Sequence, residues 1–376
     1  MQTQSYFYEE NNWNAPFDES LDSENTLIIC FGSTRFEDIK DGFENLISTY
    51  KKSKIIGCST AGEIYDDLVY ESSLSVVIMK FEKSIIKICS EKCINSENSF
   101  EVGEKICNNL FNEELKSIFV LSDGLNINGS QLTKGFNKVS KNTIITGGLA
   151  GDGADFKKTW VLVDNKPVSN YITAVGLYGD NIHTAYANGG GWKKFGIDRM
   201  VTEAKNNILY KLDYEPALQV YKKYLGDKSE NLPASGLLYP LMIKEEGYKE
   251  SKVRTILGIN KQEQSITFAG DIPNGSEVMF MKATFDELAQ GAKEAGDKLQ
   301  RFDYKNKNAT CIVVSCIGRK LIMGQKIEEE LEAIKDILDN KINLIGYYSY
   351  GEISPLNDGT CDLHNQTVTL TLFWET

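Results

Sequence analysis

The stretch IIGCSTAGEI, residues 55–64, runs from apolar residues into two glycines that enclose four small or polar residues, and an acid follows the second glycine. Two other stretches align with it in register, IITGGLAGDG at 144–153 and LIGYYSYGEI at 344–353. The coinciding glycine–acid pairs are Gly62 and Glu63, Gly151 and Asp152, and Gly351 and Glu352. This recurrence indicates a fold built by internal duplication.

Each of the three stretches closes the same predicted order of elements. In the first copy, a β-type run at 27–31 ends at Gly32, and apolar residues three or four apart then predict an amphipathic helix before the next strand. The segments SIFVLSDGL and TCIVVSCIGRK open the other two copies, and a further β-type run follows each copy, at 74–81, 171–178 and 367–374. We therefore predict a mixed α/β fold of duplicated β-α-β units, with mixed sheets flanked by helices, in two similar halves.

The predicted domains are an N-terminal extension at 1–24, an N-terminal half at 25–213 and a C-terminal half at 214–376. A predicted hairpin around residues 205–207 leads to Pro216, and a proline is well placed to open a helix because its missing N–H costs little there. The boundary is placed at this helix start, near Glu215.

Composition and charge exclude several classes of protein. The net charge of -12 and the pI near 4.9 oppose a surface that binds nucleic acid. The longest apolar runs are strand-sized, so we expect no membrane insertion, and residues 1–20 lack the pattern of a secretory leader. We expect a cytoplasmic protein whose eight scattered cysteines are reduced and form no zinc site.

The repeated bends are expected to lie together at one edge of the sheets. Strands joined by a right-handed crossover run parallel, so they end at the same edge, where open α/β folds commonly bind ligands. The turns at Gly32, Gly124 and Gly318 should gather around the same crevice.

Two catalytic interpretations of the first bend are weak. A phosphate loop needs Lys and then Ser or Thr after the second glycine, where this chain has Glu63. Cys58 and Ser59 lack the flanking pattern of a nucleophile elbow, and His183 and His364 are the two histidines of the chain. We expect no catalytic residues, although a hydrolase or transferase that uses Cys58 or Ser59 remains a third alternative.

From about residue 25 to the end, the chain resembles the FIST family. The resemblance rests on GCSTAGEI, GLAGDG, the segment from GWKKFGIDRM to VYKKYLG, SCIGR, GYYSYGEISP and HNQTVTLTL, in that order. It implies a bacterial sensory module that binds small ligands, amino acids among them, and that signals to a partner such as a kinase, cyclase or chemoreceptor. Some relatives are described as haem-binding nitric-oxide sensors, which makes haem an alternative ligand here, with His364 as the candidate iron ligand.

An amino acid requires acidic or carbonyl groups for its ammonium and an arginine or backbone N–H groups for its carboxylate. Glu63, Asp152 and Glu352 are candidates for the first task and Arg319 for the second, while the glycines let the backbone approach a ligand. The predicted ligand-binding residues are Gly57, Cys58, Ser59, Thr60, Gly62, Glu63, Gly151, Asp152, Arg319, Tyr350, Gly351 and Glu352. Two alternatives stay open: each glycine–acid pair only shapes its turn, and Arg319 forms an ion pair with one of these acids.

Overall fold

Three strand–helix–strand units form the core of the protein, and they coincide with the three repeats of the sequence. The structure is a computed structural model that describes residues 1–140, 143–245, 247, 250–338 and 342–376. The predicted class, mixed α/β with mixed sheets flanked by helices, is confirmed. Within the described ranges, no helix is long and apolar enough to cross a membrane.

Units 1 and 2 occupy the first half of the chain. The elements of unit 1 are β1 (Gln2–Glu9), β2 (Asn12–Trp13), β3 (Thr26–Gly32), α1 (Lys40–Thr49), β4 (Lys54–Ser59), β5 (Glu63–Tyr65), β6 (Leu68–Tyr70) and β7 (Leu74–Lys80). The elements of unit 2 are β8 (Ile85–Lys92), α2 (Ser99–Leu110), β9 (Leu115–Ser122), α3 (Gly129–Val139), β10 (Ile144–Leu149), β11 (Val161–Val163), β12 (Lys166–Val168) and β13 (Tyr171–Tyr178).

Unit 3 is interrupted after its first strand by an inserted sheet at residues 193–282. Unit 3 begins with β14 (Ile182–Gly189). The insertion contains β15 (Lys193–Lys205), β16 (Ile208–Leu212), β17 (Glu215–Pro216), α4 (Ala217–Leu225), β18 (Leu241–Lys244), β19 (Lys252–Arg254), β20 (Ile256–Asn260), β21 (Ser265–Phe268) and β22 (Glu277–Lys282). Unit 3 then resumes with α5 (Phe285–Leu299), β23 (Ala309–Cys316), α6 (Ile317–Met323), α7 (Glu328–Lys335), β24 (Asn343–Ser349), β25 (Gly351–Pro355), β26 (Cys361–His364) and β27 (Val368–Glu375).

All three units have the same strand pairing. In unit 1, β3 runs parallel to β4 across the α1 connection, β7 pairs antiparallel with β3, and β1 pairs antiparallel with β7. Unit 2 repeats this pattern with β9, β10, β13 and β8, and unit 3 repeats it with β23, β24, β27 and β14. The helices bury one face each, because apolar side chains such as Phe136 of α3 and Leu331 of α7 recur at helical spacing.

The units exchange hairpins in a cycle. The hairpin that follows β10 of unit 2 pairs through β11 with β4 of unit 1. The hairpin that follows β24 of unit 3 pairs through β25 with β10, and the hairpin that follows β4 of unit 1 pairs through β5 with β24. Each sheet is therefore completed by another unit, which holds the three bends that connect these strands close together.

A glycine in the second of the two parallel strands of each unit, β4, β10 or β24, lets two neighbouring strands approach closely. A Cβ added at Gly57 would lie 2.7 Å from the carbonyl oxygen of Cys30, and a Cβ at Gly346 would lie 1.8 Å from that of Val313. In unit 2, a Cβ at Gly147 would lie 1.9 Å from the nearest carbonyl oxygen of β9. These glycines serve the contact between strands within each unit.

We expect Gly346→Ala to lower the free energy of unfolding by about 1–3 kcal/mol or more, because neither the new Cβ nor the backbone oxygen that it meets can rotate away. Urea denaturation measures the loss. Gly258→Ala in β20 is the matched control, since no atom lies within 4 Å of its added Cβ. Equal stability of the two variants would show that β23 and β24 separate at little cost.

The inserted sheet is antiparallel and has its own apolar core, in which Tyr221 of α4 packs against Phe280 of β22. The predicted hairpin is present as β15 and β16, and α4 begins directly after Pro216, as predicted. The predicted boundary at residues 213 and 214 falls between β16 and β17, two strands that pair with each other.

Candidate functional site

The three bends lie together, joined by a ring of backbone hydrogen bonds between successive units. Its members are Gly151 N to Ser59 O at 3.0 Å, Tyr350 N to Leu149 O at 3.3 Å, and Ala61 N to Tyr348 O at 2.8 Å. Backbone groups thus fill the point at which the bends converge, and a cavity opens beside the ring between units 1 and 2.

This cavity, which we call the Glu63 cavity, has a volume of about 360 Å³. Residues 33–35, 38, 60–63 and 71–72 of unit 1 and residues 152–155 of unit 2 line it. Of the predicted ligand-binding residues, it brings together Thr60, Gly62, Glu63 and Asp152. Its walls are therefore the first bend, the turn after β3, and the second bend.

Glu63 is almost fully buried at the wall of the cavity. One carboxylate oxygen accepts from Thr60 Oγ1 at 2.5 Å, and the other accepts from the Ser73 backbone N–H at 3.2 Å and from Ser73 Oγ at 2.8 Å. Burial raises the pKa of Glu63 to about 7, although these hydrogen bonds act in the opposite direction. Glu63 therefore changes charge near neutral pH.

Asp152 connects the cavity to units 2 and 3. Its carboxylate accepts from the backbone N–H groups of Phe156, Lys157 and Lys158 at 2.7 to 2.8 Å, and the Tyr350 hydroxyl also donates to it. The rings of Tyr350 and Phe156 stack with centroids 4.5 Å apart. A displacement of the Asp152 carboxylate would therefore also displace the 152–158 loop and the third bend.

The charge of the cavity is predominantly negative. Its acidic lining residues are Asp38, Glu63, Glu71, Asp152 and Asp155, and Arg35 is its basic lining residue. Arg35 pairs with Asp38 at 2.8 Å, but its side chain is 82% exposed and can turn toward a ligand. Lys320 does not line the cavity, but its Nζ lies 2.6 Å from the carboxylate of Glu71, which does. This charge balance favours a ligand with a cationic group.

Glu352 lies away from the Glu63 cavity and repeats the hydrogen bonds of Glu63. It accepts from Ser349 Oγ at 2.8 Å, from Thr367 N at 3.2 Å and from Thr367 Oγ1 at 2.7 Å. In units 1 and 3, the acid of the bend therefore accepts hydrogen bonds from the residue that precedes the last strand, Ser73 or Thr367. This geometry supports the alternative in which the glycine–acid pair shapes its turn. Gly351, the glycine of this pair, packs against Leu363.

Arg319 also lies outside the Glu63 cavity, and it has no exposed surface. Its Nη2 and Nε lie 2.5 and 2.6 Å from one oxygen of Glu330, which is equally buried. The remaining donors bind the carbonyl oxygens of Gly190 at 2.6 Å and Leu288 at 2.9 Å. Arg319 is in an ion pair, as one alternative proposed, but its partner is Glu330 of α7 and not an acid of the bends.

Four other predicted residues are buried, three of them in the strand β4 and Gly151 in the second bend. Gly57 packs against Cys30, and a Cβ at Gly151 would lie 2.8 Å from Ala61 N. Cys58 is fully buried, and burial raises the pKa of its thiol well above its usual range. Ser59 Oγ accepts from Trp160 N at 3.0 Å. Neither Cys58 nor Ser59 has the exposure or the neighbours of an activated nucleophile.

The two histidines do not fit the ligation of haem iron. His364 is buried, its Nε2 lies 3.0 Å from the carbonyl oxygen of Ser354, and burial lowers its pKa. His183 stacks on Trp374, and its Nε2 lies 3.0 Å from Thr376 Oγ1. Neither histidine lines the Glu63 cavity, and the described residues include no cluster of three or more metal-binding side chains.

Sequence reasoning missed the part of the cavity that the turn after β3 supplies. Ser33, Thr34, Arg35 and Asp38 line it, and they belong to the polar run GSTRFED that follows β3. The signal was present, because the turn at Gly32 was expected at the crevice. What was lacking was a reason to prefer this turn over the equivalent turns of units 2 and 3.

Two family models match the chain and together cover most of it. The FIST N domain matches residues 26–215, and the FIST C domain matches residues 217–355.

The chain is similar to an uncharacterized protein of Methanocaldococcus jannaschii, with 23% identity over 369 residues that cover 87% of this chain and 69% of the relative. Among solved structures, it is similar to a cyanuric acid hydrolase from A. caulinodans. That similarity has a TM-score of 0.38 and 6% identity over 99% of each chain.

Proposed function

This chain belongs to the FIST family of small-ligand sensor domains, and we propose that it binds an amino acid or a related ammonium-bearing metabolite in the Glu63 cavity. The observation that carries the proposal is the excess of carboxylates around a cavity of small-metabolite size. A ligand ammonium would lie among these acids, and Arg35 would turn to meet the carboxylate at the other end. The protein would have no catalytic activity of its own.

Occupancy would reach a partner protein through the 152–158 loop. Asp152 lines the cavity, and its carboxylate holds the backbone of this loop through three hydrogen bonds. Phe156 lies in the same loop with 43% of its surface exposed. A ligand that engages Asp152 would bias the position of Phe156, and a signalling protein such as a kinase, cyclase or chemoreceptor would read that change.

We expect a thermal-shift screen of amino acids and amines to identify the ligand class. A ligand at 100 times its dissociation constant should add about 2.7 kcal/mol, which is a rise of about 3 °C for a chain of this length. For each hit, the acid that lacks the amino group should give no shift, because it cannot use the carboxylates. No shift across the whole panel would refute the proposal.

The matched variants are Glu63→Gln and Glu352→Gln, since the two acids have the same hydrogen bonds and Glu63 alone of the two lines the cavity. Glu63→Gln should weaken binding at least about tenfold, and Glu352→Gln should bind like the unmodified protein. Affinity should rise as the pH increases through about 7, where Glu63 ionises. Equal losses in both variants would place the ligand elsewhere.

A further inference from the structure

A second cavity lies where the inserted sheet meets units 2 and 3. Its volume is about 360 Å³, and we call it the Arg254 cavity. Arg254 of β19 and Asp271 line it from the inserted sheet, Lys134 of α3 from unit 2, and Asp362 of β26 from unit 3. No residue of the Glu63 cavity contributes to this lining.

Arg254 is a buried cation whose hydrogen bonds go to neutral groups. It is 2% exposed; its Nε donates to the Asp271 carbonyl oxygen at 3.3 Å, and its Nη1 donates to the carbonyl oxygens of Val253 at 3.3 Å and Leu363 at 3.0 Å. Among the described residues, its carboxylate contact is Asp362, which lies 3.9 Å from Nη2. A buried guanidinium normally has a carboxylate at hydrogen-bond distance.

The neighbouring acids are engaged by other groups. The Asp271 carboxylate accepts from Asn128, Gln131 and Lys134 at 2.6 to 3.0 Å. The Asp362 carboxylate lies 2.5 Å from Lys252 Nζ. Nη2 of Arg254 is therefore the donor of this cavity that is best placed for an acid from solution.

We propose that the Arg254 cavity is a second binding site, and that it takes a small molecule through a single carboxylate bound to Arg254. The acids of the lining, Glu245, Asp271, Asp358 and Asp362, outnumber its cations, Lys134, Lys252 and Arg254. This balance disfavours di- and tricarboxylates and phosphates. One negative charge of such a ligand would pair with Arg254, and its other negative charges would be repelled by the acids of the lining. The site is independent of the ligand proposed for the Glu63 cavity.

Binding at this site would strengthen the contact between the inserted sheet and the core. Arg254 already spans that boundary through the carbonyl oxygen of Leu363 in β26. A carboxylate on Nη2 would add a charge-assisted hydrogen bond at the same boundary. The ligand would therefore favour arrangements in which the inserted sheet stays docked on units 2 and 3.

Isothermal titration with acetate, lactate, pyruvate and benzoate tests the proposal, with acetamide, lactamide and succinate as comparisons. We expect at least one monocarboxylate to bind, its amide to show no binding, and succinate to bind more weakly than the monocarboxylates. Arg254→Gln should weaken the binding at least about tenfold. The proposal would be overturned if none of the four monocarboxylates bound, or if an acid and its amide bound equally.

A second variant covers the case in which Arg254→Gln fails to fold. Thr360→Tyr fills the Arg254 cavity from its rim without touching the hydrogen bonds of Arg254, and it should also block the carboxylate. Arg35→Gln in the Glu63 cavity should bind the carboxylate normally, so failure of one site leaves the other testable. Unchanged binding in folded Thr360→Tyr would refute the assignment.

Discussion

Arg319→Met should lower the free energy of unfolding by about 3–5 kcal/mol, because it leaves the carboxylate of Glu330 buried without its counter-ion. Both side chains have no exposed surface, and the guanidinium lies 2.5 Å from the carboxylate. Ser315 Oγ at 2.8 Å and the Tyr348 hydroxyl at 3.0 Å donate to the other oxygen of Glu330, but they are neutral and cannot replace the charge. Urea denaturation at pH 7 measures the loss.

The double variant Arg319→Met with Glu330→Leu should recover most of this loss. Replacing a buried ion pair by apolar side chains of similar volume is often neutral, whereas removing one partner is not. The matched control is Arg35→Met, whose exposed pair with Asp38 should contribute at most about 1 kcal/mol. A loss below about 1 kcal/mol in Arg319→Met would mean that Glu330 is protonated or reaches water.

The ion pair also shows a limit of sequence reasoning. The sequence predicts a turn at Gly318 with Arg319 beside the bends, and an ion pair is one of the alternatives for Arg319. The predicted turn at Gly318 is wrong, because Gly318 and Arg319 lie inside the helix α6. The partner is set by α6 and α7, two short helices that place Glu330 opposite Arg319. The sequence holds several acids at similar separations, and their relative positions depend on how these helices turn.

The repeat itself was predictable because it is local. Apolar strands, helical spacing and glycine bends recur in the same order, and parallel strands joined by a crossover bring their ends together. The exchange of hairpins was not predictable in the same way. Val161 pairs with Cys58 of another unit, and no local pattern specifies which unit receives the hairpin.

The cavity depends on the same long-range pairing. Glu63 and Glu352 have equivalent sequences around them and equivalent hydrogen bonds. They differ in their surroundings: residues 152–155 complete the cavity beside Glu63, whereas Glu352 does not line that cavity. Aligned acids therefore identify a repeated turn, and the neighbouring unit decides which of them faces a cavity.

The stability of the protein should fall as the pH rises from about 5 to about 8, and Glu352→Gln should remove part of that fall. Burial raises the pKa of Glu352 from 4.5 to about 8, even though Thr367 and Ser349 donate hydrogen bonds to the ionised form. The unfolded chain releases this proton near pH 4.5, whereas the folded protein retains it until about pH 8. Each rise in pH within this window therefore favours the unfolded state.

The size of this loss of stability follows from the difference between the pKa of Glu352 in the folded protein and in the unfolded chain. At ~1.4 kcal/mol per pKa unit, Glu352 alone costs on the order of 5 kcal/mol by pH 8. Glu63, whose pKa is raised from 4.5 to about 7, adds a smaller loss, on the order of 3 kcal/mol, that is complete about one pH unit earlier. Glutamine keeps the shape and cannot ionise, so the free energy of unfolding of Glu352→Gln should change less with pH. Urea denaturation at pH 5, 6, 7 and 8 gives the comparison.

Glu375→Gln is the control of opposite sign. Burial opposes the ionised form of Glu375, but hydrogen bonds that include the backbone N–H groups of Glu82 and Lys83 outweigh it and lower its pKa to about 2. Its contribution is therefore nearly complete by pH 5 and changes little between pH 5 and pH 7. Glu375→Gln should lose the same stability at pH 5, 6 and 7, with the slope unchanged over that range. An unchanged slope in Glu352→Gln as well would mean that Thr367 and Ser349 hold Glu352 ionised, and that its burial costs far less than the raised pKa implies.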